Sequence, residues 1–237
     1  MSSLKNQAVW LFGGTCFAAV LQVVQLGVLA RKLETHELGI LAIINAILAV
    51  AMVLQDMGMS SYIVHRQNIT RKEQSTIYWV NVLLSLLTGL LLIAIAWPIA
   101  HFYHIPELTG LIMLTSINFL VLGSLSQYQA HFVKAKRMVL LAKIEMVTKF
   151  LAFVLTVGLL YYSPLNVSAV ILGLFANAAM RILCMIWFGE KSWRPTFEFD
   201  KSTFFSSMKY GVYQLGSQTI NQLRTQADSL IVGKVMG

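Results

Sequence analysis

The 237-residue chain is 57% hydrophobic and only 12% charged, with a mean hydropathy of +0.69. A soluble domain carries about twice that share of charge, so composition excludes an ordinary soluble globular protein and indicates a membrane protein. The formal net charge of +8 does not indicate a nucleic-acid binder, because the basic residues sit in short clusters between apolar runs.

The first predicted span runs from about Ala8 to Ala30, with Gln22 and Gln25 as polar interruptions. A single Lys precedes it, so it reads as a retained span and not as a removed signal peptide. The charged turn ARKLETHELG leads to span two, about Leu38 to Gly58, which holds Asn45 and Asp56. A polar segment, Met59 to Ser75, follows. Span three is Thr76 to Ala100 and carries Asn81 and Pro98. HFYHIPELT links it to span four, Gly110 to Ala130, with Asn118. The connector HFVKAKRMVLLAKIE is basic and amphipathic and is expected to lie along the membrane surface. Span five begins near Met146 and ends where Pro164 breaks the helix. Span six, about Val167 to Phe188, holds Asn177 and Arg181, and a charged linker leads to span seven, Tyr210 to Gly237. The apolar runs are too long for barrel strands, so the expected fold is an all-α polytopic transmembrane bundle of about seven spans.

Lys and Arg in alternate connections set the orientation. One set of connections carries twelve of them and the other only Arg31 and Lys32, which places the N-terminus and the linker 189–209 in the cytoplasm. Cys16 and Cys184 both lie within apolar runs, so neither a disulfide framework nor a zinc site follows.

Polar residues inside spans are the candidates for function. In span seven, Gln214, Gln218, Asn221, Thr225 and Asp228 recur at steps of four and three, with Arg224 at the margin of their face. Such a face either walls a polar cavity or forms a seam between helices. Arg224, Gln214, Gln218 and Asn221 are taken as substrate-binding candidates, with a structural Arg224–Asp228 pair as the alternative for the arginine. Arg181 and Lys149 join the substrate candidates, although snorkelling to the headgroups is the preferred reading for both. Asp56 and Asp228 are the only carboxylates within the predicted spans and hence the candidates for ion coupling. For Asp56 an interfacial or capping role is preferred. Gln22, Gln25, Asn45, Asn118 and Asn177 fit either sugar hydroxyls or interhelical hydrogen bonds. His101, His104 and Glu107 have metal-like spacing, but a wet interfacial loop is preferred to a site. No catalytic residue, metal or cofactor is assigned.

Four segments resemble a known family. ARKLETHELGILAI, DMGMSSYIVHRQ, QYQAHFVKAKRMVLLAKIE and ADSLIVGKVMG are similar, in order, to motifs of the polysaccharide-transporter family, the Wzx-type flippases of the MOP superfamily. The third departs from the pattern, with Lys134 and Lys136 near the usual Arg and no aromatic after Met138. The resemblance implies two six-helix lobes around a cavity that moves undecaprenyl-pyrophosphate-linked oligosaccharide across the bacterial inner membrane. It implies a non-enzymatic role, with glycan polymerase and chain-length regulator proteins as further partners. On this reading 1–188 is the N-terminal lobe, 189–209 a cytoplasmic linker and 210–237 the first helix of a truncated second lobe. The alternatives are a MATE-like cation antiporter and a non-functional fragment.

Overall fold

The computed structural model describes the backbone of residues 2–66, 69–189 and 195–236, and the side chains of 9–64, 66, 69–189 and 195–218. Among these residues there are nine helices and no strand: α1 (Ser2–Lys32), α2 (Thr35–Asp56), α3 (Met59–His65), α4 (Arg71–Tyr103), α5 (Glu107–Ser116), α6 (Asn118–Lys134), α7 (Met138–Tyr162), α8 (Asn166–Phe188) and α9 (Lys201–Met236). Segment Val9–Lys32, α2, α4, the α5–α6 pair and α8 are each long and apolar enough to cross a membrane. Helix α7, with 25 residues, extends about 37 Å at 1.5 Å per residue. The α5–α6 pair counts as one span interrupted at Ile117, where the amide of Ile117 bonds to Leu114 O (3.3 Å) in the tighter i−3 pattern. With α7 and α9 the long helices number seven, as expected for the polytopic bundle. Their outer faces are apolar and uncovered: Phe12 is 74% exposed, Val23 71% and Phe102 75%. In water such a surface would drive aggregation, whereas in hydrocarbon it is solvated.

Several boundaries differ from the sequence reading, each for a local reason. Helix α4 starts at Arg71, five residues early, because Thr70 and Glu73 form a reciprocal capping box (Thr70 N to Glu73 Oε2, 2.7 Å) that satisfies its free amides. Glu34 and Glu37 form a second box at the start of α2. The segment read as polar, Met59 to Ser75, contains α3, which follows two left-handed residues, Met57 (φ 41°) and Gly58 (φ 74°). The connector expected on the membrane surface is instead the end of α6, a turn and the start of α7. There Lys136 takes φ 55°, its amide bonds to Val133 O (3.0 Å), and Arg137 N bonds to Phe132 O (2.9 Å). This is a Schellman closure with lysine where glycine is usual. Helix α7 therefore begins at Met138, not near Met146. Helix α9 begins at Lys201, inside the expected linker 189–209, because Asp200 caps it by accepting from Thr203 N (2.8 Å).

Small and polar side chains set the tightest helix contacts. At the α4–α6 crossing a Cβ on Gly123 would lie 2.6 Å from Ser85 Cβ and 3.0 Å from Asn81 O, so only glycine fits there. The buried Asn81 amide donates to Gly123 O (2.9 Å) and to Ser126 Oγ. Such bonds glue helices where lipid supplies no hydrophobic drive between them. The short segment before α9 is pinned to α4: Trp79 Nε1 donates to Thr196 O (2.9 Å), Asp200 N donates to Thr76 Oγ1 (2.9 Å), and Phe197 stacks on Trp79. These contacts fix where α9 leaves the six preceding spans.

A polar cavity between α1, α2, α7 and α8

Helices α7 and α8 are antiparallel and meet in register along their length. Near the turn joining them, Gly173 faces Thr156, and no Cβ could be added at Gly173 without overlapping the threonine hydroxyl. That hydroxyl is turned back onto its own helix, bonding to Ala152 O (2.8 Å). Further along the same seam come Lys149 and Asn177, and then Glu145 and Arg181, which are joined by an ion pair. Helix α1 runs parallel to α7 on its other side, with Lys143 Nζ 4.6 Å above the Trp10 ring and Gly14 against Met146. Helix α2 supplies the remaining wall.

The four helices line an open cleft of about 360 Å³, in which Gln22 and Asn45 are exposed and Gln25, Lys149 and Asn177 half-buried. Its polar lining consists of Gln22 and Gln25 from α1, Asn45 from α2, Lys149 and Thr156 from α7, and Asn177 from α8. Leu21, Leu41, Phe153 and Leu174 supply apolar wall between them. Four amides and one ammonium converging in a membrane helix bundle present donors and acceptors suited to a hydroxyl-rich ligand with negative charge. Asn177 Oδ1 is buried without a hydrogen-bond partner, as is Arg181 Nε one turn along. Unmet hydrogen-bonding capacity of this kind is costly in a low-dielectric interior and is offset when a ligand supplies the partner.

The candidate residues from the sequence divide into three groups. Lys149, Gln22, Gln25, Asn45 and Asn177 come together in the cavity. Arg181 lies beside it, but the snorkelling reading fails for this residue: its side chain is only 17% exposed and turns inward to Glu145. Glu145 also overturns the reading of Asp56 and Asp228 as the only carboxylates within spans. The sequence reading begins span five near Met146 and so leaves Glu145 outside it. The usable signal was its i, i+4 spacing from Lys149, which places both on one face of α7.

The second group lies elsewhere. Asp56 ends α2 and accepts from Ser60 Oγ (2.6 Å), in a separate cleft with Ser126 and Gln129. It braces the α2–α3 junction. Gln214 packs on Gly58 at that same junction, and Gly211 approaches Met57 O, with room for a Cβ only 3.0 Å from that oxygen. Gln218 is half-buried, and Asn118 is buried at the α5–α6 break. His101 is stacked between Trp97 and His104. The third group, Asn221, Arg224 and Asp228, has side chains outside the described residues.

The model of a family described as polysaccharide biosynthesis protein matches residues 28–237. The chain is 88% identical over 179 residues to the amylovoran biosynthesis protein AmsL of Erwinia amylovora, covering 76% of this chain and 46% of that protein. It is 30% identical over 230 residues to the lipopolysaccharide biosynthesis protein WzxC of Escherichia coli, covering 97% and 46%. It is 27% identical over 234 residues to the teichuronic acid biosynthesis protein TuaB of Bacillus subtilis, covering 99% and 48%. The chain thus spans about half the length of the curated relatives it matches. No solved structure matches it.

Proposed function

This chain belongs to the polysaccharide biosynthesis protein family, and on that premise we propose that it forms half of a membrane transporter that moves an undecaprenyl-pyrophosphate-linked oligosaccharide across the bacterial inner membrane. The observation that carries this reading is the cavity lined by Gln22, Gln25, Asn45, Lys149 and Asn177. Amides at several heights around a cavity bind successive sugar hydroxyls, and Lys149 supplies the charge for an anionic group. A cation antiporter would want an acidic cavity, and an uncompensated lysine repels its substrate. The relatives named for polysaccharide and lipopolysaccharide biosynthesis support the substrate class. The N-terminus is cytoplasmic on this reading, the glycan leaves toward a polymerase and chain-length regulator, and the transporter performs no covalent chemistry. Alternating access about this lobe, with α9 as the link to its second half, supplies the movement.

The test is export in a host lacking its own exporter, with this chain completed by a homologous second half. Lys149→Gln and Asn177→Leu are each expected to lower surface glycan on the order of tenfold, at unchanged protein level in the membrane. Normal export by both variants overturns the assignment of the cavity.

A further inference from the structure

We propose that Glu145 is an internal counter-anion: it holds the Arg181 guanidinium while the cavity is empty, and the substrate's anionic group binds by replacing it. The proposal rests on the cavity reading and adds a positioning residue to it.

Three observations carry it. First, Glu145 and Arg181 are bonded across the α7–α8 seam one helical turn beyond Lys149 and Asn177, adjoining the cavity lining without being part of it. Second, the pair leaves the arginine incompletely satisfied. Glu145 Oε1 takes Arg181 Nη2, while Arg181 Nε is buried without a partner. A guanidinium presents a planar fork that a second oxyanion can enter. Third, the carboxylate is the more exposed member of the pair, 32% against 17%, so it is the group able to leave.

The charges around Glu145 define the exchange. Arg181 faces it from α8, and Lys149 lies one turn along α7. Lys143, two residues back, is drawn away onto the Trp10 ring. Among the described residues of α1, Trp10 and Gly14 lie against this part of α7, and neither is charged. Without Glu145 the bundle would hold Lys149 in the cavity lining and an unpaired Arg181 just beside it, which is expensive in a low-dielectric setting. With it, Lys149 is the one cation without a counter-charge among the described residues of the cavity lining. An incoming oxyanion that engages Arg181 releases Glu145, and Lys149 is the cation within its reach on the same helix face. The ligand chemistry required is an oxyanion attached to a hydroxyl-rich glycan. Either the lipid diphosphate or the carboxylate of an acidic sugar satisfies it.

A counter-anion competes with substrate, so removing it strengthens binding, whereas removing a merely structural partner does not. If Glu145 occupies Arg181 about nine-tenths of the time, apparent affinity is reduced on the order of tenfold. The experiment uses the full 237-residue chain in lipid nanodiscs and measures binding of inorganic pyrophosphate, trigalacturonate and neutral maltotriose. Glu145→Gln is expected to bind one or both anionic probes about tenfold more tightly with maltotriose unchanged, and Glu145→Gln/Arg181→Gln to lose the gain. The probe that tightens identifies the source of the oxyanion. Unchanged or weaker anion binding by a folded Glu145→Gln overturns the proposal. If that variant does not fold, Glu145→Asp, which retracts the charge by one methylene, is expected to tighten binding several-fold, and its failure to do so is equally decisive. Binding of the anions by wild type without tightening in the variants sinks the counter-anion alone. Absence of binding by every variant sinks the cavity reading with it.

Discussion

Gly173→Ala is expected to spread α7 from α8 and to deform the cavity without touching a polar residue. A Cβ at position 173 would overlap the Thr156 hydroxyl and lie 3.2 Å from Thr156 Cβ, a spacing tighter than most real contacts. The hydroxyl can rotate away only by giving up its bond to Ala152 O, and Cβ cannot rotate at all. Overpacking of this kind costs about 1–3 kcal/mol. For a chain of this length each kcal/mol lowers the melting midpoint by roughly 2–4 °C. Thr156→Ala removes the overlapping oxygen and leaves only the 3.2 Å approach, so the double variant should recover most of the loss. In a double-mutant cycle the two changes should couple by about 0.5–3 kcal/mol, because the groups touch. The assay is thermal melting of purified chains in one detergent, with oligosaccharide export measured in parallel. The reasoning is refuted if Gly173→Ala melts like wild type, or if Thr156→Ala adds its own loss instead of relieving the first.

Two further predictions concern the ends of the bundle. In a background without Cys16 and Cys184, both of which are free thiols, a single cysteine at position 109 should react with an impermeant thiol reagent on intact cells and one at position 201 should not. The reverse pattern would invert the proposed orientation. Asp200 lies outside the spans, and its hydrogen bonds from Thr203 hold its carboxyl below the usual carboxylate range. A depressed folded-state pKa means the cap is fully present above the unfolded value of about 3.9 and is lost as pH falls through the folded one. Asp200→Ala should therefore speed amide exchange in the first turn of α9 at neutral pH and make little difference once the pH is below the folded-state value. An equal effect at both pH values would show that the carboxylate charge is not what caps the helix.

The long apolar runs made the seven spans legible, because run length reports the thickness to be crossed almost directly. Their joints were less legible. Residues 131–145 read as a surface segment because they are basic and amphipathic. No glycine or proline announces the turn that Lys136 makes with φ 55°. A lysine adopts that conformation at a cost of roughly 1–2 kcal/mol, so only the closure of α6 onto α7 as a whole reveals it. The same limit applied to the site. Lys149, Asn177, Gln22, Gln25 and Asn45 were all visible as polar residues in spans. What brings them together is the register of α7 on α8, set in part by Gly173 against Thr156, and nothing in the one-dimensional pattern ranks that contact above other pairs of small residues.

The polar face of α9 shows why periodicity alone was a poor guide. Five polar residues at helical spacing mark a face that needs covering, but they do not say what covers it. Among the described residues the first of them, Gln214, is covered by Gly58, a turn residue whose missing side chain makes the room. Helices α7 and α8 have less regular polar patterns. Yet Lys149 meets the level of Asn177, and Glu145 meets Arg181, so each polar group confronts another. In a membrane bundle, where an unmatched polar group has no water to turn to, that confrontation separates a site from a seam. The Glu145–Arg181 pair alone would be a seam. The unpartnered Asn177 Oδ1 and Arg181 Nε, flanking an uncompensated lysine in a cavity, are the features that a seam has no reason to keep.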